Sequence, residues 1–494
     1  MISDAGCFID EYGTIHEQDM ELGRGGQGVV FRTKDPDVAV KLALDSEGRP
    51  IRQRSYLEKL RAVRVLPIPT DLHLSMPVAI LRDRAGYAMR LLNDMVSFRQ
   101  FESDQDKDDR NGSQDIPAWL TGAPPQEACK LLQYIRTGSL RRRLLALYKS
   151  AAILARLHAA GLVYGDVSLA NVYMSSDPAS REVWLIDVDN LRFETENQKL
   201  GVYTPGFGAP ELVQGREGSS SRTDCHAFAV LAFWILTLQH PFVGEYVESG
   251  GDCDWADDNA AQEDLTEKAY AGLLPWIDDE VDNSNATTKG LPRTLMLTLE
   301  LKRLFQETFG PGRIQPWHRP VMFHWPPALA RALDQTILCP SCRMTYYHDG
   351  MDARQCCPFC DAARPALLRA TASTGLGGAP ASSECAWRWV HELPADSSRP
   401  LMLPHRLFHP FSISAGDRDI LEISMEQNGV LLRSCDGAGM HQLAAAVRGA
   451  GVASFAEFAA TARLPEVARR NGFSLLLKGT SPRIVDFHIE EAVP

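Results

Sequence analysis

Tyr164-Gly165-Asp166-Val167-Ser168-Leu169-Ala170-Asn171 is the stretch whose reading decides the fold. Ahead of it runs an apolar helical segment (Leu144, Leu147, Ala151, Ile153, Leu154, Leu157), and after it comes a β-branched segment closing on an acid, Val183-Trp184-Leu185-Ile186-Asp187. An Asp, an Asn five residues on and a second Asp at a strand end can converge on one point. Metal-assisted phosphoryl transfer asks for that set: an acceptor for a hydroxyl proton and two oxygen ligands for a divalent cation. Singly, Asp and Asn are ordinary turn residues, so the surrounding chain has to carry the argument.

Upstream, Gly23-Arg24-Gly25-Gly26-Gln27-Gly28-Val29-Val30 fits G-x-G-x-x-G-x-V, and glycine lets backbone amides come close to phosphates. Val38-Ala39-Val40-Lys41 follows with strand alternation, its lysine thirteen residues after Gly28. A dinucleotide-binding unit would place a helix directly after the glycines; Val29 to Arg32 reads as strand, so that alternative fails. A helix is expected over 51–63, with Tyr56, Leu57, Leu60 and Val63 on one face, ended by Pro67 and Pro69. Gly86 to Leu92 reads as a further strand.

Downstream of the 164–171 stretch come Thr204-Pro205-Gly206-Phe207-Gly208-Ala209-Pro210-Glu211, then Asp224 opening an apolar helix, then His240-Pro241-Phe242 and Arg319. Segments 97–117 and 245–290 are acid-rich insertions, the second around a short helix. His226 has no partner at metal spacing and reads as a packed histidine.

In this order the motifs resemble eukaryotic-like (Hanks-type) serine/threonine protein kinases, over about residues 15 to 333. The resemblance implies an α+β, bilobal kinase-like fold, with an N-lobe over 15–92 and a C-lobe over 93–333. It implies ATP with Mg²⁺ (or Mn²⁺) as cofactors. Gly23, Gly25, Gly28, Val30, Ala39, Met89 and Leu91 would line the nucleotide, and Lys41 would hold its α- and β-phosphates. Lys41 would pair with a helix glutamate, Glu58 or alternatively Glu47. Asp166 would be the general base, and Asn171 and Asp187 the Mg²⁺ ligands. Thr204 holds the place typical of serine/threonine specificity, with its hydroxyl in reach of the catalytic Asp. Glu211 would pair with Arg319, and Asp224 would hold the catalytic-loop backbone.

Three positions depart from the pattern. Ser168 stands where such kinases usually carry a lysine, although atypical kinases of the RIO type resemble this chain in having serine there. Val188-Asp189 replaces Phe-Gly after the metal Asp. Gly165 replaces the arginine that an activation-loop phosphate at Thr195, Tyr203 or Thr204 would neutralise, so loop phosphorylation is not expected to be required.

Cys339-Pro340-Ser341-Cys342 and Cys357-Pro358-Phe359-Cys360 form a C-x-x-C pair with fourteen residues between the inner cysteines. That spacing predicts a structural Zn²⁺ ribbon over 336–363, with Cys356 as a competing ligand. A linker is expected over 364–383, rich in Ala, Gly, Ser and Pro, followed by a small α+β docking or binding domain over 384–494. In that domain strands are expected at 420–425, 430–433, 473–477 and 484–487, and helices at 441–447 and 455–464. The ribbon after Leu185-Ile186-Asp187-Val188-Asp189-Asn190 is similar to a bacterial kinase group tied to signalling or stress response. Its partners would be a type-2C-like phosphatase and a von Willebrand A protein, as in tellurite-resistance-linked triads.

Composition sets the outer bounds. The 494 residues carry 51 Lys and Arg against 63 Asp and Glu, a net charge of −12. That balance argues against general nucleic-acid or anionic-membrane binding, and Arg141-Arg142-Arg143 reads as the solvated face of a helix. No apolar run reaches the roughly 18–20 residues of a membrane span. The first residues lack a signal-peptide pattern, and eleven cysteines do not suggest a disulfide framework. A cytoplasmic protein is expected. Two further readings stay open: a nucleotide-binding pseudokinase scaffold, and a small-molecule kinase, which Thr204 and Ala209-Pro210-Glu211 disfavour.

Overall fold

The structure is a computed structural model. It describes residues 6–25, 28–45, 47–49, 51, 54–82, 84–102, 116–195, 201–250, 258–348, 355–374, 387–394, 399–409, 418–435, 443–447, 455–478 and 483–493, the side chains of 258–263 aside. The chain is a mixed α+β protein in two compact units. One comprises Met1–Glu102, Lys149–Lys289 and Leu304–Met322; the other comprises Ser103–Tyr148, Gly290–Arg303 and Phe323–Pro494. The span 93–333 therefore contributes to both. No helix among the described residues is long and apolar enough to cross a membrane.

The first unit begins with β1 (Cys7–Ile9), β2 (Ile15–Gly25), β3 (Gly28–Thr33), β4 (Val38–Ala43), helix α1 (Arg54–Arg64), β5 (Pro77–Ile80) and β6 (Gly86–Arg90). The strands form an antiparallel sheet in the order β1-β2-β3-β4-β6-β5. Strand alternation divides its residues cleanly. Phe31, Val40, Leu42 and Ala88 join Phe8, Val29 and Leu81 in one apolar cluster. On the other face Val30 stands opposite Lys41, Lys41 opposite Tyr87, and Ala39 opposite Met89. Helix α1 covers that face: Leu60, Ile80 and Tyr87 are buried together, with Tyr56, Leu57 and Met89 packed against them. The lysine thus stays on a sheet face that is partly open and partly roofed by α1.

Beyond the sheet lie β7 (Met95–Ser97), β8 (Leu162–Val163), β9 (Val172–Ser175), β10 (Val183–Leu185) and β11 (Arg192–Phe193). They pair as β10-β9-β7 and β11-β8, so both ends of the 164–171 loop are pinned by short ladders. The helix Ser221–Thr237 supplies the core beneath them. It is capped by a reciprocal Ser220–Thr223 box and buried on nearly every face, with Phe233 set edge-on to Trp276, Phe305 and Phe309. The expected packed histidine, His226, lies stacked on Phe242, and burial pushes its pKa well down.

The second unit holds β12 (Thr336–Leu338), β13 (Thr345–Tyr347), β14 (Leu367–Thr374), β15 (Trp387–Glu392), β16 (Leu401–Pro404), β17 (Asp419–Glu426), β18 (Gly429–Ser434), β19 (Leu443–Val447), β20 (Ala456–Phe458), β21 (Thr461–Pro465), β22 (Phe473–Leu477) and β23 (Arg483–Glu490). Its larger sheets run β15-β14-β23-β22-β19-β20 and β16-β17-β18-β21. Three expectations are corrected here. The segment expected as a linker contains β14, an interior strand paired on both sides; its residues 375–383 lie outside the described ones. The helix expected at 441–447 is β19: Leu443-Ala444-Ala445-Ala446 has helix propensity but is buried between β20 and β22, and tertiary pairing overrides it. The helix expected at 455–464 gives β20 and β21, where Thr461 to Pro465 alternates in exposure and pairs with β18.

The arginine run is not a solvated face either. Arg141 bridges Glu392 (2.7 Å) and Thr336 (2.9 Å). Arg143 is wholly buried, its guanidinium 3.7 Å over the Tyr134 ring and bonded to the Tyr134 and Ser139 carbonyls. Burial lowers its pKa to about 10.

Candidate functional site

Asp166 sits in the loop between β8 and β9, and both its oxygens are engaged. Thr204 Oγ1 donates to Oδ1 (2.8 Å), and Asn171 Nδ2 donates to Oδ2 (3.0 Å) and to the Asp166 carbonyl (2.9 Å). Burial raises the Asp166 pKa; the Thr204 hydrogen bond opposes it, and the negative charge of Asp187 adds to it. Asp166 and Asp187 are therefore within electrostatic reach of one another. The amide nitrogen of Asn171 is taken by Asp166, so its oxygen is the atom a cation would meet.

The loop is fastened from beneath. Asp224 accepts the backbone N–H groups of Tyr164 (2.8 Å) and Gly165 (2.9 Å) and faces His158 Nε2 at 3.0 Å. Gly165 needs its glycine here, since its φ is +88°. Burial disfavours charging His158, but Asp224 and Cys225 outweigh it and lift the pKa to about 10. Tyr164 donates to the Ile186 carbonyl, joining the loop to the end of β10.

Asp187 begins a 3₁₀ turn over Val188–Asn190 with φ +58°, a left-handed conformation that Asp tolerates better than most residues. Its carboxylate meets the Lys41 ammonium. The same ammonium donates to Asp189 Oδ2 at 2.9 Å, and Tyr56 Oη donates to that oxygen at 2.6 Å. Lys59 Nζ reaches Asn190 Oδ1 at 2.8 Å.

The structure thus brings Lys41, Asp187, Asp166 and Asn171 together, but not Glu58. That glutamate is 59% exposed and pairs with Arg54 on its own helix, so the expected Lys41–Glu58 pair is not formed. Glu47, the alternative, bonds Arg49. The physical reason is register: α1 turns Tyr56, Leu57 and Leu60 to the sheet, which puts Glu58 on the solvent side. Sequence reading missed Asp189 as a partner of Lys41 and Tyr56 as a partner of Asp189. The available signal was a second acid two residues after Asp187, directly following the apolar Val188.

Of the residues expected to line a nucleotide, Val30, Ala39 and Met89 share the Lys41 face of the sheet, and Leu91 follows β6. Gly25 pairs with Gly28 at the tip of the β2–β3 hairpin, whose Gly26 and Gln27 lie outside the described residues. A Cβ on Gly28 would come 2.7 Å from the Leu42 carbonyl, so close strand packing requires glycine there. Gly23 and Gly25 face open space.

Farther off, Arg319 grips both Glu211 oxygens (2.6 and 2.8 Å), and both side chains are buried. This pair tethers the 204–211 segment.

In the second unit the sulfurs of Cys339, Cys342, Cys357 and Cys360 lie within 4.8 Å of one another, with Cys339–Cys360 and Cys342–Cys357 each at 3.6 Å. Zn–S bonds of about 2.3 Å in a tetrahedron require sulfurs about 3.8 Å apart, so the four fit that ion. Cys356 is exposed and outside the cluster.

No family model matches the chain. Among curated proteins it is similar to the serine/threonine-protein kinase kin-29 of Caenorhabditis briggsae, 30% identical over 101 residues. That stretch covers 20% of this chain and 12% of that protein. The likeness supports a kinase-like relationship.

Proposed function

We propose that the protein is an ATP- and Mg²⁺-dependent serine/threonine protein kinase with a bilobal kinase-like first unit. The observation that carries this reading is the junction of Lys41, Asp187, Asp166 and Asn171, four residues from three separate segments meeting in the first unit. Asp166 would accept the substrate hydroxyl proton, helped by a pKa that burial has moved upward. Asn171 and Asp187 would supply oxygen ligands, and Lys41 would hold phosphate oxygens. Mg-ATP, when bound, supplies the transferable phosphoryl group. Gly23 and Gly25 are free of internal packing demands, which suits a turn that lies over phosphates. Thr204 on Asp166 favours a serine or threonine acceptor. Incubation with labelled ATP tests the reading: phosphate incorporation should vanish in Asp166→Asn and Asp187→Asn.

A second reading, a nucleotide-binding scaffold, draws on Ser168. It is wholly buried, its hydroxyl has no hydrogen-bond partner among the described residues, and it supplies no cation. Nucleotide binding without transfer by the unsubstituted protein would select this alternative. In either case a cytoplasmic setting in bacterial signalling, with the second unit docking a type-2C-like phosphatase or a von Willebrand A protein, belongs to the proposal. Co-purification of such a partner, lost on deleting 364–494, is the test.

A further inference from the structure

We propose that Asp189, rather than a glutamate of α1, is the residue that positions Lys41, and that Tyr56 and Lys59 fasten the 187–190 turn to α1. This deepens the kinase reading and rests on it.

Lys41 is 5% exposed, and its ammonium meets two carboxylates, Asp187 and Asp189. They differ in what else claims them. Asp187 is the carboxylate a divalent cation would share. Asp189 is 4% exposed, and its contacts are with side chains: Lys41 and the Tyr56 hydroxyl meet on one oxygen. Tyr87, buried beside it, is kept protonated by burial and by the Asp189 charge. Helix α1 thus offers this site a neutral donor, Tyr56, and a cation, Lys59, but no anion; its glutamate points to solvent.

The consequence is mechanical. Where a helix glutamate holds the lysine, moving the helix removes the lysine's anion. Here the anion sits two residues from Asp187 on one short turn, so the phosphate-binding lysine and the metal-binding aspartate are held by a single segment. The helix acts on Lys41 only through Tyr56 and Lys59.

Two measurements test this on the full chain. In the first, acylation of Lys41 by sulfosuccinimidyl acetate is followed at one fixed pH by peptide mass spectrometry. Asp189→Asn should raise the Lys41 rate about tenfold, as expected for loss of a charged hydrogen bond, Tyr56→Phe should raise it less, and Glu58→Gln should leave it unchanged. In the second, binding of ATP and of adenosine is compared by calorimetry. Asp189→Asn should weaken ATP about tenfold with little change for adenosine; in a Lys41→Met background it should add nothing, and Asp189→Glu should restore part of the loss. A Lys41 rate that responds to Glu58→Gln and not to Asp189→Asn overturns the proposal, as does equal weakening of ATP and adenosine. If the unsubstituted protein binds no ATP, the kinase reading falls, while the acylation rates still decide the Lys41–Asp189 assignment.

Discussion

Asp166 is tuned by what surrounds it. Its pKa is raised, so protonation stabilises the folded state: stability from this group is lost as pH rises above the ordinary value of 3.8, and at neutral pH the buried charge is a cost. Asp166→Asn should therefore abolish transfer, by about 10²-fold or more, while calorimetry finds the melting temperature unchanged or raised. The same raised pKa places the acid limb of the pH–rate profile above that of an ordinary Asp, activity falling as pH drops through it. Thr204→Ala removes one of the two side-chain donors to this carboxylate and should lower the transfer rate about tenfold, with recovery in Thr204→Ser. Intact-mass spectrometry that finds no phosphate on residue 204 in either the unsubstituted or the serine protein would assign the effect to the hydroxyl's contact with Asp166.

At the scale of elements, two buried ionic contacts decide whether loops hold their places. His158 and Asp224 join the helix Ser139–Ala159 to the helix Ser221–Thr237 under the 164–171 loop. With its pKa raised from 6.5 to about 10, the histidine is charged at neutral pH. Its contribution is complete below pH 6.5 and disappears as pH rises toward about 10. Denaturant titrations should show that alkaline loss in the unsubstituted protein and a flatter profile in His158→Gln. Glu211 and Arg319 act likewise on the 204–211 segment. Removing either partner strands the other's buried charge, so Arg319→Ala should cost roughly 3–5 kcal/mol by chemical denaturation.

For the whole molecule, the cysteine cluster is the test of the second unit. Four thiolates would fill a tetrahedron, so a zinc held there would be structural, with no open position for chemistry. Elemental analysis should find one zinc per chain, retained in Cys356→Ser and lost in Cys342→Ser. Chelation should lower the melting temperature of the second unit, because metal affinity in such ribbons is folding free energy.

The chain's local order was open to reading. Glycines before a strand, Lys41 on the next, Asp166 and Asn171 in one loop, and the paired C-x-x-C units are short-range patterns whose chemistry depends on residue type and spacing. So were the strands at 420–425 and 430–433, because Gln427-Asn428-Gly429 punctuates an alternating run. Tertiary structure decided the rest, and for one reason: burial is a property of neighbours distant in sequence. Alanines 444–446 became strand because ladders closed on both sides, and Arg143 went inside because Tyr134 and nearby carbonyls received it. Lys41 took Asp189 rather than Glu58 because the face α1 turns inward was set by Leu60 and Tyr56 packing on the sheet, which no spacing along the chain records.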